Sequence, residues 1–273
     1  EPYRVDPKSL QTLGKDDFAG KRSTPVSAHV KVDAKTGEMM FFEYSVKAPF
    51  LHYGVVSAKG EQTSLVPVAL PGARLPHDMA ITQHYSILMD LPVCVDMEAL
   101  KRGRWRSVYK PELGSRFAII PRHGTEQDIR WFEASSCYIY HVINAWEEGE
   151  DLVMVAHKVP SPVANHDDGS STEFERMLQN LQMDAQLWEW RFNLGTGKTT
   201  ERCLDRVNAE FPSTNAREQG YPTRYGYAVT IGPAPTLHFD GIRKYDFLTD
   251  EHQEVRFGEG IYGSESPFAP STH

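Results

Sequence analysis

Three histidines sit in short motifs whose composition suits metal chemistry: His29 in "PVSAHVKVD", His77 in "RLPHDMAIT" and His141 in "CYIYHVINAWEEG". Neutral imidazole is the commonest side-chain ligand for iron, zinc and copper, so three rings gathered at one point could hold such an ion. Separations of 48 and 64 residues are far too long for a local motif of the Cys-x-x-Cys kind. A lone histidine in an apolar strand is more often a core residue with hydrogen-bonded nitrogens. His141 poses the choice most sharply, because at period two it shares a strand face with Ile139 and Ile143. Both readings are open at this point. The remaining eight (His52, His84, His123, His157, His166, His238, His252 and His273) fall at turns, on polar alternations or at the chain end, where surface or structural roles are expected.

The elements that would have to position these residues read as strands. "EMMFFEYSV", "HYGVVSA", "SILMDLPVCV", "CYIYHVINAW", "DLVMVAHKV", "LWEWRFNL" and "GYAVTIG" are short, rich in β-branched and aromatic residues, and bounded by turn residues. "VDAKTGEM" and "FNLGTGKT" share a turn in which Asp33 or Asn193 bonds its own backbone and a glycine takes positive φ; "YDFLTDEHQ" is a looser version. Asp33 to Asn193 is 160 residues and Asn193 to Asp246 is 53, close to one third of that. A period of this size fits one four-stranded propeller blade with its loops, so the fold class is all-β and the chain would supply four or five blades. One ligand per blade would then bring distant histidines to a common axis. A single helix interrupts the pattern: "HDDGSSTEFERMLQNLQ" has Ser170 as N-cap, Glu173 three residues on, and an apolar stripe of Phe174, Met177, Leu178 and Leu181. It predicts a helical insertion over about 170–184, a packing face rather than a binding site.

Composition removes several function classes. Of 273 residues 40% are hydrophobic, and the formal net charge of -8 with scattered basic residues argues against a nucleic-acid partner. No apolar run reaches the length of about 18 residues that spans a membrane. Cys94, Cys137 and Cys203 are odd in number and far apart, which suggests free, buried thiols in a reducing compartment, hence a cytoplasmic location. The sequence opens on "EPYRVDPKSL" and closes on "SPFAPSTH"; both ends read as parts of something longer, so 1–273 is expected to be a portion of a single propeller domain.

Five blocks then carry a specific likeness. "SAHVKVDAKTGEMMFFEYS", "LPHDMAITQHYSILMDLPV", "RFAIIPRHG", "YHVINAWEEG" and "NAEFPSTN" resemble, in order, the signature blocks of the carotenoid cleavage oxygenase family, and the likeness covers roughly Glu1 to Pro270. That family cleaves carotenoids, apocarotenoids and stilbenes with dioxygen, and it has a retinoid isomerase branch. The resemblance implies a seven-bladed propeller around one non-haem Fe(II) held by four histidines. By motif it assigns His29, His77 and His141 as ligands, with the fourth expected downstream of residue 273. It assigns Glu210, in the "EFP" block, and Glu265, in "SESPFAP", as glutamates that accept the distal N–H of ligand rings. Val30 where many members have proline, and Gln83-His84 for a common Glu-Asn pair, depart from the pattern without touching the ligands.

The implied reaction is oxidative cleavage of a C=C bond in an apolar or aromatic alkene, with O2 as co-substrate and two carbonyl products. Peripheral membrane contact, used by some members to extract substrate, is compatible with it. The same resemblance admits an isomerase or isomerohydrolase, and the strand pattern alone would also suit a non-catalytic, ligand-binding propeller.

Overall fold

The computed structural model of the chain describes residues 2–18, 26–162, 172, 183–233 and 237–271. The first elements, β1 (Tyr3–Val5) and β2 (Thr12–Lys15), pair as a small hairpin. Four antiparallel four-stranded sheets follow. The first holds β3 (Lys31–Val32), β4 (Met39–Tyr44), β5 (Phe50–Val56) and β6 (Gln62–Ala69) in chain order. The second begins with β7 (Ala80–Ile81) and β8 (Tyr85–Asp90). A hairpin of β9 (Val93–Val95) and β10 (Ser107–Tyr109), with α1 (Met97–Lys101) between its strands, interrupts it. It is completed by β11 (Ser115–Pro121) and β12 (Arg130–Ala134), in the order β7, β8, β11, β12. The third holds β13 (Val142–Glu148), β14 (Asp151–Lys158), β15 (Gln186–Asn193) and β16 (Thr199–Asp205). The fourth holds β17 (Ala209–Ser213), β18 (Tyr225–Ile231), β19 (Phe239–Asp246) and β20 (Glu251–Arg256).

Each sheet is a propeller blade whose first strand lies at one edge, so the described residues supply four blades. The blades stack face to face in chain order. Met40, Leu51, Tyr53 and Val68 of the first pack with Ile81, Leu88 and Ile120 of the second. Met89, Phe117 and Phe132 of the second meet Met154, Trp190 and Phe192 of the third, and Val153, Val155 and Leu187 of the third meet Ala228 and Tyr245 of the fourth. A blade covered on both faces buries both sides of its strands. This is why β14 reads as the continuous run Leu152–Ala156 rather than as an alternation. Outermost β20 is exposed along its whole length and carries Glu251, Glu254 and Arg256, charges that keep an open edge from pairing with another chain.

The turn chemistry expected from sequence is present. Asp33 accepts the Lys35 amide at 2.8 Å and Gly37 sits at φ 73°; Asn193 accepts the Thr196 amide at 2.8 Å and Gly197 sits at φ 72°. In the looser turn Asp246 accepts the Leu248 amide, and Asp250, not glycine, takes φ 56°. Asn193 and Asp246 each open a hairpin between the third and fourth strands of a blade, so their spacing is a blade repeat. Asp33 opens the hairpin between the first and second strands, β3 and β4. Its distance to Asn193 therefore measures no whole number of blades.

Two readings need correction. The strand expected over 137–149 begins only at Val142, and its register shifts between Val142 and Asn144. Ile139 and Ile143 consequently enter different cores, one on each face of the third blade, and His141 precedes the strand instead of sharing a row with them. Cys94 and Cys137 are buried as expected, whereas Cys203 is half-exposed on β16. The helix expected over 170–184 lies almost wholly outside the described residues; Met183 and Asp184, which are described, are not helical.

Candidate metal centre

The three motif histidines come from the entrances of three successive innermost strands. His29 lies two residues before β3, His77 three before β7, and His141 immediately before β13. Because those edge strands converge, residues far apart in the chain arrive together. The ring centroids are 4.6 Å (His29–His77), 4.7 Å (His29–His141) and 5.0 Å (His77–His141) apart. One nitrogen from each ring falls within 4.8 Å of the others. The closest pair is His29 Nε2 and His77 Nε2, at 3.1 Å. Two nitrogens bound at right angles to one ion, with bonds of ordinary length, would stand about 3 Å apart. The donor set therefore fits a first-row transition metal.

His141 is oriented from behind. Its Nδ1 donates to Glu210 Oε2 at 2.7 Å, which fixes the tautomer and turns Nε2 toward the other rings. Glu210 is 1% exposed, and its Oε2 also accepts the amide of Phe211. The strand is irregular here: the β17–β18 register shifts between Glu210 and Ser213, and Phe211 takes φ 49°, rare for a bulky residue. Successive strand residues ordinarily face opposite sides. The bulge lets both Glu210 and Phe211 address His141, with the Phe211 ring 5.2 Å from the imidazole. Such strain is held where the surroundings over-determine it.

Electrostatics divide the three rings. Burial lowers the pKa of His29. Burial, with His141 and His29 beside it, pushes His77 down to about 4. Both are therefore neutral, metal-competent bases at ordinary pH. Burial also opposes a charge on His141, but the hydrogen bond and charge of Glu210 outweigh it and raise its pKa. Among the described residues no carboxylate pairs with His77; its ring instead packs edge-on against Tyr140 at 5.5 Å.

Glu265 does not hydrogen-bond any of the three histidines. It lines, with Ser266, Pro267, Phe211, Pro212 and His141, a cavity of about 190 Å³ that opens beside His29. A second cavity of about 390 Å³, lined by Val26, Glu43, Tyr44 and Pro76, reaches His29 and His77 from the first blade. Sequence reasoning passed over Asp78, whose buried carboxylate lies next to His77 and pairs with Lys31 at 2.8 Å. Its position inside "HDMAIT" was the available signal. It also passed over His157, fully buried on β14 with neither ring nitrogen hydrogen-bonded, and held near pKa 4 chiefly by that burial. Of the other described histidines, His52, His84 and His123 pair with Glu43, Glu147 and Glu38, and the His238 ring lies tilted against that of Tyr262 with centroids 5.2 Å apart.

Comparison with known proteins agrees with the likeness seen in the motifs. The profile of the family described as "RPE65: Retinal pigment epithelial membrane protein" matches residues 1–273. The carotenoid 9,10(9',10')-cleavage dioxygenase of Crocus sativus is 32% identical over 99% of this chain and 52% of its own length. The isoeugenol monooxygenase of Pseudomonas putida is 31% identical over 86% of this chain and 50% of its own. Thus the chain spans about half the length of the curated relatives it matches. Among solved structures, the lignostilbene dioxygenase of Pseudomonas brassicacearum superposes with a TM-score of 0.86 at 25% identity, covering 98% of this chain and 59% of that one. The Synechocystis apocarotenoid oxygenase, at 23% identity and a TM-score of 0.77 over 94% of this chain and 56% of its own, shares the fold.

Proposed function

Because this chain belongs to the RPE65 family of carotenoid-cleavage oxygenases, we propose that it forms the ligand-bearing part of a non-haem Fe(II) dioxygenase that cleaves a C=C bond. The substrate class is a carotenoid, an apocarotenoid or a stilbene-like aromatic alkene; dioxygen adds across the double bond and two carbonyl fragments leave. The observation that carries this reading is the meeting of three imidazoles from three blades, one of them backed by a buried glutamate.

His29, His77 and His141 would hold the ion, and a fourth histidine is proposed from sequence downstream of residue 273. Glu265, on the cavity wall next to His29, is proposed to orient that fourth ring. A bound ferrous ion would supply the redox capacity that dioxygen needs to react with a closed-shell alkene. The chain's own residues prepare the place. Glu210 keeps the His141 proton on Nδ1 and its lone pair free at Nε2. Neutral His29 and His77 leave the dipositive charge of the ion undiminished, unlike a two-His-one-carboxylate triad. Phe211 and Pro212 make one wall of the adjoining cavity apolar, which suits an alkene and thins the water around it.

Incubation of the purified full-length protein, including the segment downstream of residue 273, with iron, a stilbene or apocarotenoid, and 18O2 tests the proposal. Label in both carbonyl products is expected. A product without label would overturn cleavage by dioxygen and favour the isomerase branch. Absence of stoichiometric iron after reconstitution would favour a non-catalytic propeller.

A further inference from the structure

The three ligand segments share one anchor that is not itself a ligand. Asp78 follows His77 directly and is 1% exposed. Its Oδ1 accepts the amide of Met79 at 2.7 Å and lies 2.8 Å from Lys31 Nζ. Its Oδ2 accepts the amide of Val142 at 2.8 Å and takes a second contact from Lys31 Nζ at 3.0 Å. Lys31 is two residues from His29 and opens β3; Val142 is the neighbour of His141 and opens β13. A single carboxylate therefore ties the first, second and third blades together within two residues of each histidine.

This arrangement differs in kind from that of Glu210, which grips an imidazole. Asp78 grips backbone and a strand-opening lysine, so it governs where three strands begin relative to one another. The Val142 amide has a specific need for it: at the register shift of β13 the ladder with β14 is interrupted, and a buried N–H without an acceptor is costly. The paired charges of Lys31 and Asp78 are almost completely shielded from water, where a broken pair leaves an uncompensated charge. A carboxylate accepting from two amides and an ammonium has few other positions open to it.

We infer that Asp78, clasped by Lys31, is the positioning residue that sets the mutual geometry of His29, His77 and His141. The inference rests on the proposed metal centre, with the histidines acting as ligands. An error of about 1 Å in such a constellation is enough to degrade a metal site, whatever the quality of each ligand alone.

Cobalt(II) titration of the purified full-length protein, followed by its ligand-field absorption spectrum, tests this without any reference to turnover. In Asp78→Ala the cobalt dissociation constant is expected to rise about 10- to 100-fold, the range seen when groups supporting ligands are removed, with a changed spectrum. Asp78→Asn retains the size and one neutral acceptor for Val142, and should recover part of the affinity. If Asp78→Ala does not fold, Asp78→Asn alone decides, with weaker binding and a shifted spectrum expected. Wild-type spectra and affinities in folded Asp78 variants would overturn the inference while leaving the metal centre intact. Failure of the unmodified protein to take up cobalt would overturn the metal centre itself and this inference with it. Arg122→Met, which also breaks a buried ion pair, serves as the control: it should lower the melting temperature yet leave the cobalt spectrum of the folded fraction unchanged.

Discussion

The residues that precede the innermost strands and the polar groups further along and beyond those strands make two very different places. At the entrances stand His29, His77 and His141, half-buried, two of them holding nitrogens 3.1 Å apart. Beyond them, from Asn144 of β13 onward and toward the strand exits, the polar groups are largely paired off. Asp33, fully buried, accepts from Arg122 Nη1 at 2.6 Å and from the Tyr221 hydroxyl at 3.0 Å, and Arg122 Nε donates to the Thr82 carbonyl at 2.8 Å. Asn144 donates to the carbonyls of Glu218 and Tyr221 and accepts from Gln219 Nε2 and the Gly220 amide. Glu147 accepts from Thr82 Oγ1 and the His84 amide and pairs with the His84 ring at 2.9 Å. The exits thus join all four blades by hydrogen bonds that leave Arg122 Nη2 unpartnered among the described residues, whereas the entrances bring three imidazoles to a common centre. One end is mostly finished by the protein; the other gathers three imidazole nitrogens that could hold a metal ion.

That contrast can be broken at either end. The largest effect is expected at the entrance: His141→Ala or His77→Ala should abolish stoichiometric iron uptake, measured by elemental analysis of protein whose circular dichroism matches the unmodified chain. Next is Arg122→Met at the exit. It strands the Asp33 carboxylate in the interior and is expected to cost about 3–5 kcal/mol in denaturant unfolding, with iron per folded molecule unchanged. Glu210→Gln comes third. It weakens rather than removes the grip on His141, and an affinity loss of about 10- to 100-fold in metal titration is expected. Tyr221→Phe, deleting one hydrogen bond to Asp33, should cost only about 1 kcal/mol in the same unfolding assay.

Acid separates the ends by sign as well as by range. The folded chain resists a proton on His77, so the unfolded chain takes it up first as pH falls below the ordinary 6.5. The stability tied to neutral His77 therefore declines between 6.5 and about 4. His141 runs the other way in the metal-free protein. Its raised pKa gives a contribution fully present below 6.5 and lost as pH rises through the raised value. At the exit, burial opposes the Asp33 charge, but Arg122, Lys35 and Tyr221 outweigh it and lower its pKa. Its contribution should persist until pH drops below the ordinary 3.8. NMR titration of the imidazoles checks the first pair: His77 should stay neutral at pH values where His141 is already charged.

Much of the entrance was legible in the chain and little of the exit. The ligand candidates stood in recognisable motifs, as did Glu210. The exit residues Asp33, Arg122, Asn144 and Tyr221 are ordinary polar residues whose partners lie as far as 188 positions away. Single-chain spacing says nothing about such pairs. The misread strand at 137–141 has a local cause. Residues alternate there as a strand requires, but the register shift at Val142 interrupts the ladder, leaving Tyr138 as an isolated bridge to Val159.

By itself the sequence determined the all-β class and the positions and residue types of the turns, because periodicity and turn chemistry are local properties of neighbouring residues, and its motif blocks, through their resemblance to a family, pointed to the histidines worth gathering. Only the tertiary structure decided that those histidines meet, that a strained Phe211 lets Glu210 reach His141, and that Asp78 anchors three strand openings. Those facts depend on how blades stack around an axis. Stacking is set by the packing of faces contributed by residues tens of positions apart, which no local pattern encodes.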